Sequence, residues 1–533
     1  MSLQVFQQGQ VNLASLVLPN VYVIIKPPDV QTIRGVPTNI VAAVGTAKSG
    51  PITGSSTGPR VISVGSVAEV PSLLGGIGTS KNDLGMAINV AGLNGPVDFR
   101  CVRCNTGTAS ATATLLDASS GSVGVFTAKY PGTFGNSIGI FVDTGAAVDS
   151  YRVTIQATGT TLKEVFDNIS TATAANFKTL LAAAITNGQG ALRPPSELVT
   201  FAAGNSVLLP TLTPFSTYGS YLALTGGSDG SVGDQIGSAA NGDGIYAFEG
   251  SDARLLVIPG LDDVSKWSEV VAFCARNGMG AILGFAAGLS TDDAITAKNN
   301  AGLDTWKAMF VKDYIAWNDA TNRIANRLVP AECFAAGLAA NLSPEQGIGN
   351  KPVFGLVGTE RSLANHPYTD SEASKLTTVG INFFTNPIPA GRVFGLRNDR
   401  NGSSSGEIDG WNYTRMTDFL SVSLAQGLGK FIGQVQSPHP NDPVRADAYA
   451  TLNAFLTLLQ LPSGAGGVGM IASFALILDE TNNTKITISR GYLNAEVKVE
   501  YLSVIRYFVV TLQGGQTVVT VAANPSQSFL QAA

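Results

Sequence analysis

The period of apolar and polar positions changes several times along the chain, and each change marks a different kind of element. Residues 21–25 (VYVII) and 40–44 (IVAAV) are short apolar runs, stopped by Lys26-Pro27-Pro28 and by Gly45, and they read as strands. A Gly/Pro/Ser/Thr stretch from Ser49 to Arg60 is a loop, and 97–102 is a third strand. Residues 255–258 (LLVI) form another run, stopped by Pro259-Gly260. Trp267, Val270, Val271 and Cys274 then fall on one helical face, and 281–285 is again strand-like. That β-α-β order favours a parallel sheet. Further on, Met416, Phe419, Leu420, Leu424 and Leu428 make one helical stripe. A second helix has Asn441 or Asp442 as its cap and Pro443 in its first turn, with Val444, Ala448, Leu452, Phe455 and Leu459 as its apolar face. Residues 468–478 read as a buried strand ended by Asp479-Glu480. Ala495, Val497, Val499 and Tyr501 alternate with Glu496, Lys498 and Glu500, giving one buried and one wet face. Residues 504–512 predict another strand, Gly514-Gly515 a hinge, and 517–521 a last strand.

Between the first strands and the β-α-β unit the texture differs. Residues 106–117 are rich in Thr, Ala and Ser and mark a boundary. Stretches 139–142 and 152–155 are strand-like. Thr161-Leu162-Lys163-Glu164 has capping-box spacing ahead of Val165, Phe166 and Ile169, which predicts a helix start. With a loop-rich 187–203, residues 106–220 read as a separate α/β insertion. At the N-terminus, Val11, Leu13 and Leu16 alternate loosely among polar neighbours, as in an extended arm with strand potential.

Composition narrows the function. The 533 residues exceed one domain, and roughly three or four are expected. Hydrophobic residues make up 44%, enough for sizeable cores, while charged residues reach only 13%, about half the usual share. A net charge of −5 and the lack of a basic patch with aromatics argue against nucleic-acid binding. With no Lys or Arg before Lys26 and no apolar run of about 20 residues, a soluble protein made in a cytoplasm is expected.

Candidate chemistry is sparse. Cys101-Val102-Arg103-Cys104 has the spacing of a metal or redox pair, but it sits on a strand, and Cys274 and Cys333 are isolated. All four read as small buried hydrophobes. Gly464-Ala465-Gly466-Gly467-Val468-Gly469 fits GxGxxG but follows a helix and precedes a strand, the reverse of a dinucleotide site. His366 and His439, the only two histidines, each precede Pro and read as turn residues. Thr225 to Gly230 and Asp243 are too sparse in carboxylates for a cation cage and read as turns. No catalytic, cofactor or metal residue is assigned, and an assembly component is expected rather than an enzyme.

Ordered motifs then suggest which assembly. They are Pro19-Asn20-Val21-Tyr22-Val23 with Gly35-Val36-Pro37-Thr38 and 40–45; Tyr130-Pro131-Gly132-Thr133-Phe134-Gly135-Asn136; 224–230 (LTGGSDG); and Val257-Ile258-Pro259-Gly260. They continue as Tyr314-Ile315-Ala316-Trp317; Leu328-Val329-Pro330 with Ala336-Gly337 and Ala339; Gly380-Ile381-Asn382; and 481–484 (TNNT) with Gly491-Tyr492-Leu493 and 497–501. Together, in this order, they resemble the contractile tail sheath protein family of phage tails and related injection devices. Asn20 replaces a usual Gly and Ala316 a usual Pro.

The resemblance implies an α/β multi-domain chain. A tube-proximal α+β domain is built from both chain ends (21–105 with 370–512). An outer domain is inserted at 106–220, a central α/β domain (subtilisin-like by fold only) spans 221–369, and the arms are 1–20 and 513–533. It implies a structural subunit that polymerises, in hexameric rings or a helix of its own copies, around an inner tail tube protein. Baseplate and tail terminator proteins would be further partners, with no cofactor, nucleic acid or membrane insertion. The setting would be a virion tail sheath assembled in the host cytoplasm. A tailocin or secretion-type device is the alternative within the class, and a degenerate hydrolase the alternative outside it.

The residues themselves agree about the ends. Strand-prone arms without a local partner are a liability unless they pair elsewhere. Val11, Leu13, Leu16, Thr517, Val518, Val519 and Val521 are therefore expected to add strands to other subunits. About six backbone bonds per arm, at ~0.5–1.5 kcal/mol each, would give several kcal/mol per junction. Arg445 and Asp447, on the second C-terminal helix, are candidate tube contacts, against the plainer reading of solvated charges.

Overall fold

The computed structural model describes residues 4–7, 22–25, 33, 35–52, 60–95, 98–215, 221–510 and 512. Strands β1 (Gln4–Gln7) and β2 (Tyr22–Ile25) pair in parallel, Gln4 opposite Tyr22. The chain then lays down β3 (Ile40–Gly45), β4 (Ile62–Val64), α1 (Val70–Leu73), α2 (Leu84–Gly92) and β5 (Asp98–Arg103). It leaves through β6 (Asn105–Thr106) into β7 (Thr112–Leu116), β8 (Ser122–Ala128), β9 (Ile138–Thr144), β10 (Ser150–Ala157), β11 (Lys163–Ser170), α3 (Ala174–Asn187) and β12 (Val199–Ala203). It returns by β13 (Leu222–Ala223) and β14 (Ser231–Val232). Next come β15 (Leu255–Val257), α4 (Trp267–Asn277), β16 (Gly280–Gly284), α5 (Thr291–Ala301), β17 (Ala308–Lys312), β18 (Tyr314–Asp319), β19 (Ile324–Pro330) and α6 (Ala331–Asn341). The remainder is β20 (Leu356–Thr359), α7 (Glu360–Leu363), α8 (Asp370–Thr378), β21 (Ile381–Thr385), β22 (Gly395–Leu396), α9 (Trp411–Leu428), α10 (Pro443–Gln460), β23 (Ile471–Ile477), α11 (Lys485–Ser489) and β24 (Glu496–Tyr501).

The main sheet has the order β22-β21-β17-β16-β15-β3-β5-β4. Its inner pairs are parallel and its two edge pairs antiparallel. Both faces are covered, which is why its strands read as continuous apolar runs. In β3, Val41 and Ala43 join a cluster with α2 and α6, while Ile40, Ala42 and Val44 join one with α4 and Trp267. The β-α-β reading of 255–285 holds: β15 and β16 are parallel neighbours joined by α4.

Several expectations change. β3, β5 and β4 share one sheet with β15, β16 and β17, so 40–103 does not form a domain apart from the central α/β segment. Parallel pairing joins strands far apart in sequence, and local pattern does not reveal the partner. Ile33 and Val36 pack in one cluster with α9, α10 and the β23–β24 hairpin. The capping-box reading at Thr161 fails. Residues 163–170 are β11, paired antiparallel with β10, and the helix starts at Ala174 under a Thr173 cap. Phe166 and Ile169 are buried there by ladder partners, a force the local pattern omits. Buried residues between Ala111 and Leu224 share a core of their own. β23 is half-buried rather than buried, with Ile471 in the core and Ala472, Ser473 and Ala475 exposed.

Residues 502–533 form a second unit. Its described residues, 502–510 and 512, carry no strand, contrary to the expected one at 504–512. Ile505, Phe508 and Val509 are 81%, 85% and 87% exposed. The apolar pattern is strand-like, but a strand exists only with a partner edge.

Candidate functional site: assembly surfaces and the joints behind them

The insertion hangs on a two-stranded neck, β6 paired with β14. Arg103, at the end of β5, is fully buried beside it. Its Nη1 donates to the carbonyls of Gly50 (2.8 Å) and Pro131 (2.7 Å), and its Nε to Asn105 Oδ1 (2.8 Å). Burial lowers its pKa to about 10, so it stays charged at neutral pH. Asp229 accepts from Thr133 N at 2.6 Å and Oγ1 at 2.7 Å, and Asn136 exchanges two hydrogen bonds with Gly227. Gly132 has φ 136°, and a Cβ there would lie 2.1 Å from the Lys48 carbonyl oxygen. The Tyr130–Asn136 and Leu224–Gly230 motifs thus meet in space and clamp the insertion to the main sheet. The Asp229 carboxylate serves this clamp.

A second joint fills the crevice between β3 and β15, where open α/β sheets usually receive ligands. Asn82 Nδ2 donates to the carbonyls of Pro259 (2.8 Å) and Gly260 (3.1 Å), and Gln235 Nε2 to those of Val44 (3.2 Å) and Pro259 (3.3 Å). Glu332 Oε1 accepts from Gly260 N at 3.0 Å. Side chains of the chain itself occupy the crevice. All four cysteines are buried, and burial pushes their thiols up, Cys104 to about 12. Among the described residues, no group of three or more His, Cys, Asp or Glu could hold a metal, and no helix is long and apolar enough to cross a membrane. His366 and His439 lie in exposed connections, their carbonyls accepting from Arg361 and Arg445. Residues 464–469 form the loop between α10 and β23.

The described candidate residues for assembly lie around α10 and the β23–β24 hairpin. Asp442 caps α10 by accepting from Arg445 N at 2.9 Å, and Pro443 fills the first turn. Arg445 is 4% exposed and gives its guanidinium to the carbonyls of His439 and Pro440. Both bonds come from Nη2, and the burial of the side chain speaks against its expected role as a tube contact. Asp447 is 60% exposed, 4.0 Å from Lys430 Nζ. The β23–β24 hairpin packs Phe474, Leu476, Val497, Val499 and Tyr501 against the α9–α10 core. Among the described residues it has no third strand, so both outer edges present unpaired backbone groups. Val11, Leu13, Leu16, Thr517, Val518, Val519 and Val521 lie outside the described residues.

No family model and no curated protein matches the chain. Solved structures do. The sheath tail protein of Desulfitobacterium hafniense aligns over 84% of this chain and 90% of its own, with TM-score 0.54 and 16% identity. That of Listeria innocua aligns over 85% and 91%, with TM-score 0.56 and 16% identity. The chain has the fold of the sheath tail proteins. The contracted sheath complex of an extracellular contractile injection system (PVC) aligns over 94% and 98%, with TM-score 0.51 and 11% identity.

Within this sheath-protein fold the motif residues are joints. Asn382 of the Gly380-Ile381-Asn382 motif is fully buried and bonds to the carbonyls of Phe310 (3.0 Å) and Arg400 (2.7 Å). Arg103 and Asn105 were not singled out as joint residues from sequence; the one signal was an arginine directly after the apolar Cys101-Val102 pair of a strand. Replacing Arg103 by methionine should strand two buried carbonyls, at ~1–3 kcal/mol each. The expected result is early denaturation of the insertion and faster proteolysis at the neck. Wild-type denaturant midpoints would show the clamp to be dispensable.

Proposed function

We propose that this protein is the structural subunit of a contractile tail sheath. It polymerises around an inner tail tube and contracts to drive the tube through a target envelope. The likeness to sheath proteins over most of the chain carries this reading. The open-edged β23–β24 hairpin and the exposed apolar residues after Tyr501 support it, because edge and strand-prone segment on different copies can complete each other's ladders. The arms proposed for this exchange are residues near Val11 to Leu16 and Thr517 to Val521. Asp447 remains a tube-contact proposal, and the energy of contraction would come from a metastable extended lattice with two packings of the same subunit. Likeness to an injection-device sheath supports a tailocin-like setting as well as a phage tail.

Negative-stain microscopy of the purified protein tests this. The full chain should form long striated tubes, and a chain lacking 502–533 should remain as dispersed subunits. Tubes formed equally well by the truncated chain would exclude this segment from assembly. No tubes from the full chain, with or without a tube protein, would remove the sheath reading.

A further inference from the structure

α9 belongs to two cores at once. Trp411, at its start, packs in the core with α2 and α6, while Met416, Phe419 and Leu420 pack with α10 and the β23–β24 hairpin. Between these contacts the helix carries a polar patch. Thr414 Oγ1 donates to the Trp306 carbonyl, and Asp418 Oδ1 pairs with Lys307 Nζ. Arg415 gives Nη2 to the Leu342 carbonyl at 2.7 Å and Nη1 to that of Ser343 at 3.1 Å. Arg254, the residue before β15, donates from Nη1 to the Ala253 carbonyl at 2.6 Å. Arg254, Lys307, Arg415 and Asp418 are only 4% to 8% exposed.

Two polar atoms here are left over. Arg254 Nε and Asp418 Oδ2 are both buried, and among the described residues neither has a hydrogen-bond partner. A buried donor or acceptor left unpaired costs free energy, which folded chains avoid with a protein partner or an ordered water. Both residues, with Arg415 and Thr38, line one cavity between β15, β16 and α9. Its volume is about 10 Å³, the room that a single water needs.

The leftover atoms fix the chemistry of an occupant: it must accept from Arg254 and donate to Asp418. A cation would face the guanidinium groups of Arg254 and Arg415 and find a single free carboxylate oxygen. A halide would accept from Arg254 but has no hydrogen to give, and the Asp418 charge would repel it. Water does both and fits the volume. We propose that this cavity is a site for one water molecule, which accepts from Arg254 Nε, donates to Asp418 Oδ2 and so completes the seat of α9 on the main sheet. The two cores that α9 joins are then linked through a bridging water in place of a direct ion pair between Arg254 and Asp418.

A crystal structure of the full chain, at a resolution that shows ordered water elsewhere in its interior, tests the site. The wild type should show one density peak at about 2.6–3.2 Å from both Arg254 Nε and Asp418 Oδ2. Growth in bromide instead of chloride should leave no anomalous signal there. Asp418→Asn keeps Oδ1 for Lys307, and a water can accept from its Nδ2 and from Arg254 Nε together, so the peak should persist. Arg254→Met removes one of the two partners, and the peak should be lost, because one remaining partner does not hold a buried water. The wild-type measurements stand whether or not either variant folds. No wild-type peak, a direct contact between the two atoms, a bromide signal, or an undiminished peak in Arg254→Met would each overturn the site.

Discussion

Leucine at position 337 should leave no folded protein. Gly337 sits in α6 where that helix crosses α2, and a Cβ there would lie 2.5 Å from the Ala91 carbonyl oxygen, 2.6 Å from Ala91 Cα and 2.9 Å from its carbonyl carbon. All three are backbone atoms, so no side-chain rotation relieves the contact. The crossing is the floor of the largest core. Met86, Ala87, Val90 and Ala91 face Phe334, Ala335 and Leu338 there, all at most 4% exposed. Even alanine must push the helices apart, and overpacking of this kind costs ~1–3 kcal/mol. Leucine adds three more heavy atoms with nowhere to go. Gly337→Ala should therefore lower the urea midpoint clearly, and Gly337→Leu should yield only insoluble chain. Gly464 has nothing within 4 Å of a built Cβ, so Gly464→Ala should stay within ~0.5 kcal/mol of wild type. Soluble Gly337→Leu with a native melting curve would mean that α2 and α6 need not touch so closely.

The second large effect is an unusual dependence of stability on pH. Asp83 caps α2, its Oδ2 accepting from Met86 N at 2.7 Å and Gly78 N at 2.9 Å, and burial raises its pKa to about 6. Burial raises Glu332 to about 7. In the folded chain these groups keep their protons at a pH where the unfolded chain has lost them. Folding then binds protons, and stability falls as pH rises from the ordinary carboxylate range, near 4, to the folded values. Above about pH 7 the loss is complete and the curve flattens. Holding a proton at a pH about two higher than an exposed carboxyl would is worth at most ~3 kcal/mol for each group. Glu372 works the other way: hydrogen bonds from the Thr369 backbone, then Arg361, hold it down to about 2, so its contribution disappears only in acid. The melting temperature should accordingly peak near about pH 5 and drop by several degrees towards about pH 8. Glu332→Gln, which keeps an acceptor for Gly260 N, should flatten the alkaline side of the curve. A wild-type optimum at or above pH 7 would contradict this account.

Elements whose partners are close in sequence were legible in advance. The Trp267, Val270, Val271, Cys274 stripe is α4, and the Asp442–Pro443 start of α10 follows from a cap and a ring that fit helix geometry without help from the rest of the chain. What stayed hidden depends on distant partners. The sequence 163–170 satisfies a capping box and a ladder about equally, and β10 decides between them. Sharing of one sheet by β3 and β15 follows from packing across more than two hundred residues, which no local period encodes. The assembly surfaces follow the same rule. Residues 504–512 have the composition of a strand, and the described ones among them, 504–510 and 512, form none. Motif positions were legible as positions, while their tasks emerged only in space: Asp229 and Asn136 clamp, Gly337 permits a crossing, and Asn382 stitches three segments.

The paired neck has a consequence for how such a protein can change. Asn105 faces Val232 and Thr106 faces Ser231, so the chain leaves and rejoins the main sheet at points about 5 Å apart. Everything between them is one excursion from the sheet. A foreign domain whose own ends lie that close could replace it without moving β5 or β15, provided that Arg103 and Asn105 still find carbonyls to hold. The neck thus sets the condition for any such graft: its ends must fit a two-residue ladder and leave the frame where it is.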